Sequence, residues 1–166
     1  MHAVQLLAEV VGCEVIGVDP RPEARRIATQ HGAHDVLESA ETLVDQVRNG
    51  QAGVDAVFEM VGAPSLVDTA LRCLRPQGSC VVVGISPDRL GLRMRQETVV
   101  ARELSVIGSF GATAAEIAEL AQLVAAGRLD LSGSVSDSLP PERFAAALAE
   151  TRDKKGGSVR VVISYR

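Results

Sequence analysis

The sequence predicts an α/β protein with a doubly wound parallel sheet in three layers, α/β/α, from which the first strand is lacking. Short apolar runs rich in valine and isoleucine alternate with longer segments of helical period, which is the pattern of a parallel sheet covered by helices. The first of these runs follows a helical segment and is closed by an acid, Asp19, but no strand and no G-x-G-x-x-G motif precede that segment.

The first helix is predicted at His2–Val11, where apolar residues recur at helical spacing and Gly12 supplies a stop. Six strands are predicted from the apolar runs: Glu14–Val18, Asp35–Leu37, Val54–Met60, Ser79–Val83, Leu104–Ile107 and Val159–Ser164. Five more helices are predicted between them: Pro22–Gln30, Ala40–Val47, Ser65–Leu74, Thr113–Ala126 and Pro141–Arg152. Proline in a first turn, as at Pro22, and glycine just past an end, as at Gly127, support these boundaries.

Two segments depart from this alternation. Residues Ser86–Arg102 contain Pro87, Gly91 and four arginines, a composition that predicts a surface excursion rather than a strand. After Gly127 the composition shifts towards serine and proline. We therefore expect a dinucleotide-binding region over residues 1–127 and a separate segment over residues 128–166.

The composition excludes several classes of partner. The chain has 166 residues, of which 46% are hydrophobic, so it is long and apolar enough for a core. A net charge of −4 and four aromatic residues, three Phe and one Tyr, disfavour nucleic acid as a partner. No apolar run approaches the roughly 20 residues of a membrane span, and no signal peptide is evident. We expect no membrane partner and a cytoplasmic location.

The cysteines and histidines do not predict a metal site. Cys13, Cys73 and Cys80 are odd in number and form no C-x-x-C pair, so each is expected to be a small buried core residue. His31 and His34 flank a Gly-Ala turn after a helix, where solvated side chains are expected.

Asp19 is the strongest single candidate for binding a ligand. In a Rossmann-like βαβ unit, an acid at this strand tip accepts hydrogen bonds from the adenosine ribose, although an Asp that merely forms a turn is the alternative. Its charge would repel a 2′-phosphate, which favours NAD over NADP. Arg21 and Arg25 could instead attract that phosphate, or they could lie on a solvated helix face.

Three predicted strands end in glycine-bearing segments. These are Val61–Gly62, Val83–Gly84–Ile85 and Gly108–Ser109–Phe110. Ligands of open parallel sheets bind outside the carboxyl ends of the strands, and glycine allows a ligand to approach the backbone there. Each glycine could alternatively serve only to turn the chain.

Taken in order, several segments resemble the cofactor-binding half of medium-chain, zinc-type alcohol dehydrogenases. They are HAVQLLAEVVGCEVIGVD, GVDAVFEMVG, ALRCLRPQGSCVVVGIS, ELSVIGSFGAT and GSVRVVIS. FEMVG, LRPQGSCVVVG and IGSF are the most specific parts. The resemblance covers essentially the whole chain and implies that Met1 follows directly on the family's glycine-rich phosphate loop. It also implies that residues 128–166 return to the catalytic domain.

The resemblance implies a role in NAD binding for particular residues. Asp19 would bind the adenosine ribose and Arg160 the pyrophosphate. Met60, Val61 and Gly62 would line the cofactor cleft, and the backbone of Val83, Gly84, Ile85, Gly108, Ser109 and Phe110 would face the nicotinamide. The family often has a lysine where this chain has Ala24, so Arg21 or Arg25 is expected to substitute.

The resemblance implies that the zinc ligands lie in an N-terminal domain with no counterpart in these residues. The chain would then hold no catalytic residue and no metal ligand, bind NAD weakly or not at all, and be inactive alone. Four hypotheses of function follow. The first is that the chain is part of an alcohol or polyol dehydrogenase, and the second is that it is part of a zinc-free quinone or enoyl reductase. The others are an S-adenosylmethionine-dependent methyltransferase and a non-catalytic fragment that acts only in subunit association.

A missing first strand leaves a gap at the centre of the sheet. The strands ending at Asp19 and Met60 would flank this gap with unpaired edges. We expect one of three solutions: these strands pair with each other, the strand Val159–Ser164 inserts, or another chain donates a strand. The resemblance likewise favours a homo-oligomer.

Overall fold

The computed structural model describes residues 1–153 and 160–165. The chain divides into two compact units. The first unit comprises Met1–Gly17, Arg21–Val36 and Ala114–Arg166, and the second comprises Val18–Pro20 and Leu37–Thr113.

Helices and strands alternate as the sequence predicts. The helices are α1 (His2–Gln5, which continues as a π-helix over Leu6–Val11), α2 (Pro22–Gln30), α3 (Ala40–Arg48), α4 (Pro64–Cys73), α5 (Gln96–Ala101), α6 (Ala114–Ala125) and α7 (Phe144–Asp153). The strands are β1 (Ile16–Val18), β2 (Asp35–Leu37), β3 (Val54–Glu59), β4 (Leu74–Val82), β5 (Ser105–Gly108), β6 (Asp137–Leu139) and β7 (Val161–Ile163). Short 3₁₀ turns occupy Ser132–Ser134 and Pro141–Arg143.

The described strands form three sheets, in the orders β1–β2, β3–β4–β5 and β6–β7. In the central sheet of the second unit both pairings are parallel, with Glu59 opposite Val82 and Val82 opposite Gly108. Parallel strands joined by helices confirm the predicted Rossmann-like α/β class. Among the described helices, none is long and apolar enough to cross a membrane.

The core of the second unit lies between α4 and the sheet β3–β4–β5. Five buried residues form it: Val67, Ala70, Leu71, Leu74 and Cys80. The first four recur at helical spacing on α4 and its end, so one apolar face of the helix covers the sheet. On the neighbouring helix α3, Ser39 caps the first turn, because its Oγ accepts a hydrogen bond from the N–H of Glu41 at 3.2 Å.

Two expectations about the gap in the sheet are wrong for the described residues. Neither β1 nor β3 pairs with the other, and β7, within the predicted strand Val159–Ser164, pairs with β6. The reason is that β6, which was not predicted, offers β7 a parallel edge, and the N–H of Ser164 extends this ladder to the oxygen of Leu139 at 2.9 Å. Val159 itself lies outside the described residues.

The cysteines also need one correction. Cys73 and Cys80 are buried as expected, but Cys13 is exposed, because it follows the helix stop at Gly12, before β1 begins. Burial raises the pKa of the Cys73 thiol to about 11, so this side chain is protonated and poorly nucleophilic at neutral pH.

The segment Ser86–Arg102 combines an irregular stretch with a short helix that was not predicted, α5. The irregular stretch is exposed over most of its length, in agreement with a surface excursion. A run of only six residues gave no helical period from which α5 could have been recognised.

Candidate functional site

Glu59, the last residue of β3, joins two of the predicted strand ends. Its side chain is buried, and Oε1 accepts hydrogen bonds from the N–H groups of Val61 at 2.8 Å and Gly62 at 3.0 Å. Its main-chain oxygen accepts from the N–H groups of Val83 and Gly84, both at 2.9 Å. One residue therefore fixes the turn after β3 and ties it to the end of β4.

Gly62 and Gly84 lie backbone against backbone at this point. Gly62 has a φ of +82°, and a Cβ there would lie 2.7 Å from the oxygen of Ile85. A Cβ at Gly84 would lie 2.0 Å from the nitrogen of Gly62. Both the left-handed conformation and the close approach require glycine. We call this tight backbone contact between Gly62 and Gly84 the glycine cradle.

A small cleft of about 150 Å³ opens at the glycine cradle. Its lining includes Glu59, Gly62, Val67, Val82, Gly84 and Ser86. Met60 and Ile85, which follow the lining residues Glu59 and Gly84 in sequence, are 50% and 78% exposed. The volume is below the range of about 300–1,000 Å³ typical of sites for drug-sized ligands, so this cleft has room for one portion of a dinucleotide.

The third predicted strand end lies next to the second. Gly108 is opposite Val82 in the ladder, and the N–H of Ser109 donates to the oxygen of Val82 at 2.9 Å. Phe110 follows with its side chain 89% exposed. The carboxyl ends of β3, β4 and β5 therefore present Met60–Gly62, Val83–Ile85 and Gly108–Phe110 along one edge, as the sequence predicts.

Asp19 follows directly on β1, and its N–H donates to the oxygen of Leu37 at 3.1 Å. The structure thus places this carboxylate at a strand tip, where the sequence predicts it. Arg21 is the exposed N-cap residue of α2. Arg160 precedes β7, and its main chain exchanges hydrogen bonds with Ser136. Arg21 and Arg160 belong to the first unit, whereas Asp19 and the three glycine-bearing ends belong to the second.

Sequence reasoning missed Glu59 as a site residue. The available signal was an acid at the end of a strand that is otherwise predicted to be buried, directly before Met60–Val61–Gly62. A buried carboxylate requires hydrogen-bond donors, and here the main chain of the following turn supplies them. The Glu59 carboxylate also adds to the effect of burial in raising the pKa of the neighbouring Cys80 thiol.

The described residues do not fit a zinc site. No group of three or more His, Cys, Asp or Glu side chains that could hold a metal ion occurs within residues 1–153 and 160–165. Beside the glycine cradle, in contrast, the cleft of about 150 Å³ opens at the carboxyl ends of β3 and β4, which is where open α/β sheets bind their ligands.

The chain is similar in sequence to known oxidoreductases and dehydrogenases. Quinone oxidoreductase of Rattus norvegicus is 29% identical over 126 residues, which cover 73% of this chain and 37% of that protein. An NAD-dependent alcohol dehydrogenase of Saccharolobus solfataricus is 28% identical over 130 residues, which cover 76% of this chain and 37% of that protein.

Among solved structures, a short chain alcohol dehydrogenase from Escherichia coli CFT073, complexed with NADH, superposes with a TM-score of 0.87. The sequence identity is 18%, and the match covers 98% of this chain and 48% of that one. This chain therefore spans about half of the length of that enzyme, or less for the two relatives above. The family model described as zinc-binding dehydrogenase matches residues 1–126, which confirms the resemblance and shows that the chain belongs to the zinc-binding dehydrogenase family.

Proposed function

We propose that this chain is the NAD(H)-binding portion of an alcohol or polyol dehydrogenase. The observation that carries the proposal is the glycine cradle, where Glu59 holds the turn Met60–Gly62 against Gly84. The adjoining cleft lies at the carboxyl ends of β3 and β4, and the crevice outside the carboxyl ends of parallel strands is where open α/β sheets bind their ligands. Met60 and Val61 would flank the bound cofactor.

The other candidate residues take distinct roles in this proposal. The Asp19 carboxylate accepts hydrogen bonds from the hydroxyls of the adenosine ribose, while Arg21 lies close in sequence to the same strand tip. The backbone of Val83–Ile85 and Gly108–Phe110 faces the nicotinamide end. Arg160 contributes positive charge towards the pyrophosphate. The nicotinamide, when bound, accepts or donates the hydride; these residues hold and orient it, and none of them takes part in the chemical step.

A zinc-free quinone reductase is the second candidate for the parent activity. The specific observation in its favour is the likeness to the rat quinone oxidoreductase. The negative charge of Asp19 at the proposed ribose position favours NAD over NADP. It therefore favours the hypothesis of an alcohol dehydrogenase. The family match argues against a methyltransferase. A domain boundary after residue 127 and a cytoplasmic location remain predictions from the sequence.

We expect the 166-residue chain alone to bind NADH orders of magnitude more weakly than full-length dehydrogenases, because it contains no G-x-G-x-x-G loop for the pyrophosphate. Asp19→Asn should weaken binding by a further factor of about ten, the equivalent of one charge-assisted hydrogen bond. Fluorescence titration with NADH measures both effects. Asp45→Asn, which removes an equal charge from the exposed surface of α3, should have no effect.

Two outcomes would contradict these expectations. Ordinary micromolar binding of NADH by the native chain would show that the phosphate loop is dispensable. If the native chain and Asp19→Asn bound NADH with equal affinity, Asp19 would not bind the ribose.

We also propose that the chain associates with a second copy that covers a free strand edge. Among the described strands, β1 is paired only with β2, and β3 only with β4, and unpaired edges favour strand addition. We expect sedimentation velocity to show a dimer or larger species, with slow amide hydrogen exchange along both edges of β3. A monomer in which one edge of β3 exchanges freely would contradict the proposal.

A further inference from the structure

A second cleft, of about 230 Å³, lies in the second unit beside α4. Its lining combines one face of α4 with the irregular segment before α5. The lining residues are Pro64, Ser65, Asp68, Thr69, Arg72, Arg89, Gly91 and Arg93. We call this the arginine cleft.

The segment that carries Arg89 and Arg93 is anchored to α4 by Asp68. Asp68 Oδ1 accepts hydrogen bonds from the main-chain N–H groups of Arg93 at 2.8 Å and Met94 at 3.1 Å. Met94 in turn packs against the buried core cluster beneath α4. The main chain at Arg93 is therefore held at the cleft, and Arg89 lines the same cleft four residues earlier.

The charges of the cleft are not balanced within the described structure. The guanidinium of Arg72 is engaged by Glu41, at 2.9 and 3.3 Å, and by the hydroxyl of Thr69 at 3.0 Å. Within residues 1–153 and 160–165, the guanidinium groups of Arg89 and Arg93 have no hydrogen bond or ion pair with another side chain. Two positive groups thus remain for a ligand.

Among the lining residues, Asp68 alone carries a carboxylate. Its negative charge would repel a bound anion. Its Oδ1 is occupied by the two N–H groups of the loop, and its Oδ2 lies 3.8 Å from Nε of Arg72. That Nε is buried and has no hydrogen-bond partner among the described residues. Much of the negative charge of Asp68 is consequently offset within the wall of the cleft.

We propose that the arginine cleft binds the phosphoryl group of a small molecule. Guanidinium groups bind phosphate oxygens through paired, charge-assisted hydrogen bonds, and Ser65 adds a hydroxyl donor on the same side of α4. The volume lies below the range of typical drug-sized sites, which limits the ligand to inorganic phosphate or a small phosphate monoester. The arginine cleft adjoins the cleft at the glycine cradle, with which it shares Pro64. Arg89 and Arg93, however, line only the arginine cleft, so the proposal rests on them and not on the NAD(H) function.

The test is calorimetric titration of the full 166-residue chain with inorganic phosphate and with glycerol phosphate, at constant ionic strength set by chloride. We expect saturable binding that falls at least tenfold in the double variant Arg89→Gln/Arg93→Gln. The matched control is Arg95→Gln, an exposed arginine of the same segment that pairs with Glu97 and does not line the cleft. Circular dichroism of each variant checks that folding is retained.

The outcomes separate the possible sources of the phosphoryl group. Tighter binding of glycerol phosphate identifies a monoester, and tighter binding of inorganic phosphate identifies the free ion; both support the site. Absence of saturation, an equal loss in Arg95→Gln, or competitive displacement of phosphate by NADH would overturn it, the last because the cleft would then belong to the dinucleotide site.

Discussion

Replacing Gly84 by alanine is expected to lower the free energy of unfolding by about 3 kcal/mol or more. The new Cβ would lie 2.0 Å from the nitrogen and 2.6 Å from the Cα of Gly62. Both atoms belong to the backbone, so no change of rotamer relieves the clash and the two strand ends must separate. Urea denaturation followed by circular dichroism measures the loss, and NADH binding should fall with it.

Gly133→Ala provides the control for this substitution. Apart from its chain neighbours and its own short helix, the nearest atom to the Cβ position at Gly133 is Sδ of Met1 at 4.0 Å, and the φ of Gly133 is not in the left-handed region. The stability should therefore change by no more than about 0.5 kcal/mol. Native-like stability of Gly84→Ala would show that the ends of β3 and β4 are not in close contact.

Replacing Glu59 by alanine is expected to cost about 2–4 kcal/mol, because the N–H groups of Val61 and Gly62 lose their acceptor in a partly buried turn. Glu59→Gln should cost less. Its Oε1 can still accept from both groups, but its amide nitrogen would face the N–H of Gly62, now 3.0 Å from Oε2. The order of stability, native above Gln above Ala, is measured by urea denaturation.

The matched control is the same pair of substitutions at Glu97, which is exposed and, among the described residues, forms an ion pair with exposed Arg95. Exposed ion pairs contribute little, so both Glu97 variants should resemble the native chain. If Glu59→Ala were as stable as Glu97→Ala, the hydrogen bonds of Glu59 would not hold the glycine cradle. If Glu59→Ala were stable and also bound NADH with native affinity, Glu59 would have no role in the cofactor site.

The order of the elements could be predicted from the sequence because each has a strong local signal. The strand Val54–Glu59 contains the apolar residues Val54, Ala56, Val57 and Phe58, and α2 begins at a proline in its first turn. The position of the candidate site could also be predicted. The carboxyl ends of the strands in a parallel sheet lie at one edge, so Gly62, Gly84 and Gly108 were expected at the same edge.

Other features depend on contacts between distant residues and have no local signal. β6 is three residues long and exists as a strand through its pairing with β7. The short helix α5 likewise lacks a period that could be recognised. Glu59 could not be distinguished from an ordinary polar residue until its side chain was seen to be buried under the next turn.

The sequence by itself determined the α/β class, the alternation of helices and strands, the acid at the tip of β1 and the glycines at the ends of β3, β4 and β5. Hydrophobic period and turn chemistry are local properties, and they suffice for these features. The tertiary structure alone decided that β7 pairs with β6, that Glu59 fixes the turn at the glycine cradle, and that Asp68 holds the main chain of Arg93 and Met94 against α4. Each of these depends on hydrogen bonds between groups separated along the chain or hidden by burial, whose geometry exists only once the chain is folded.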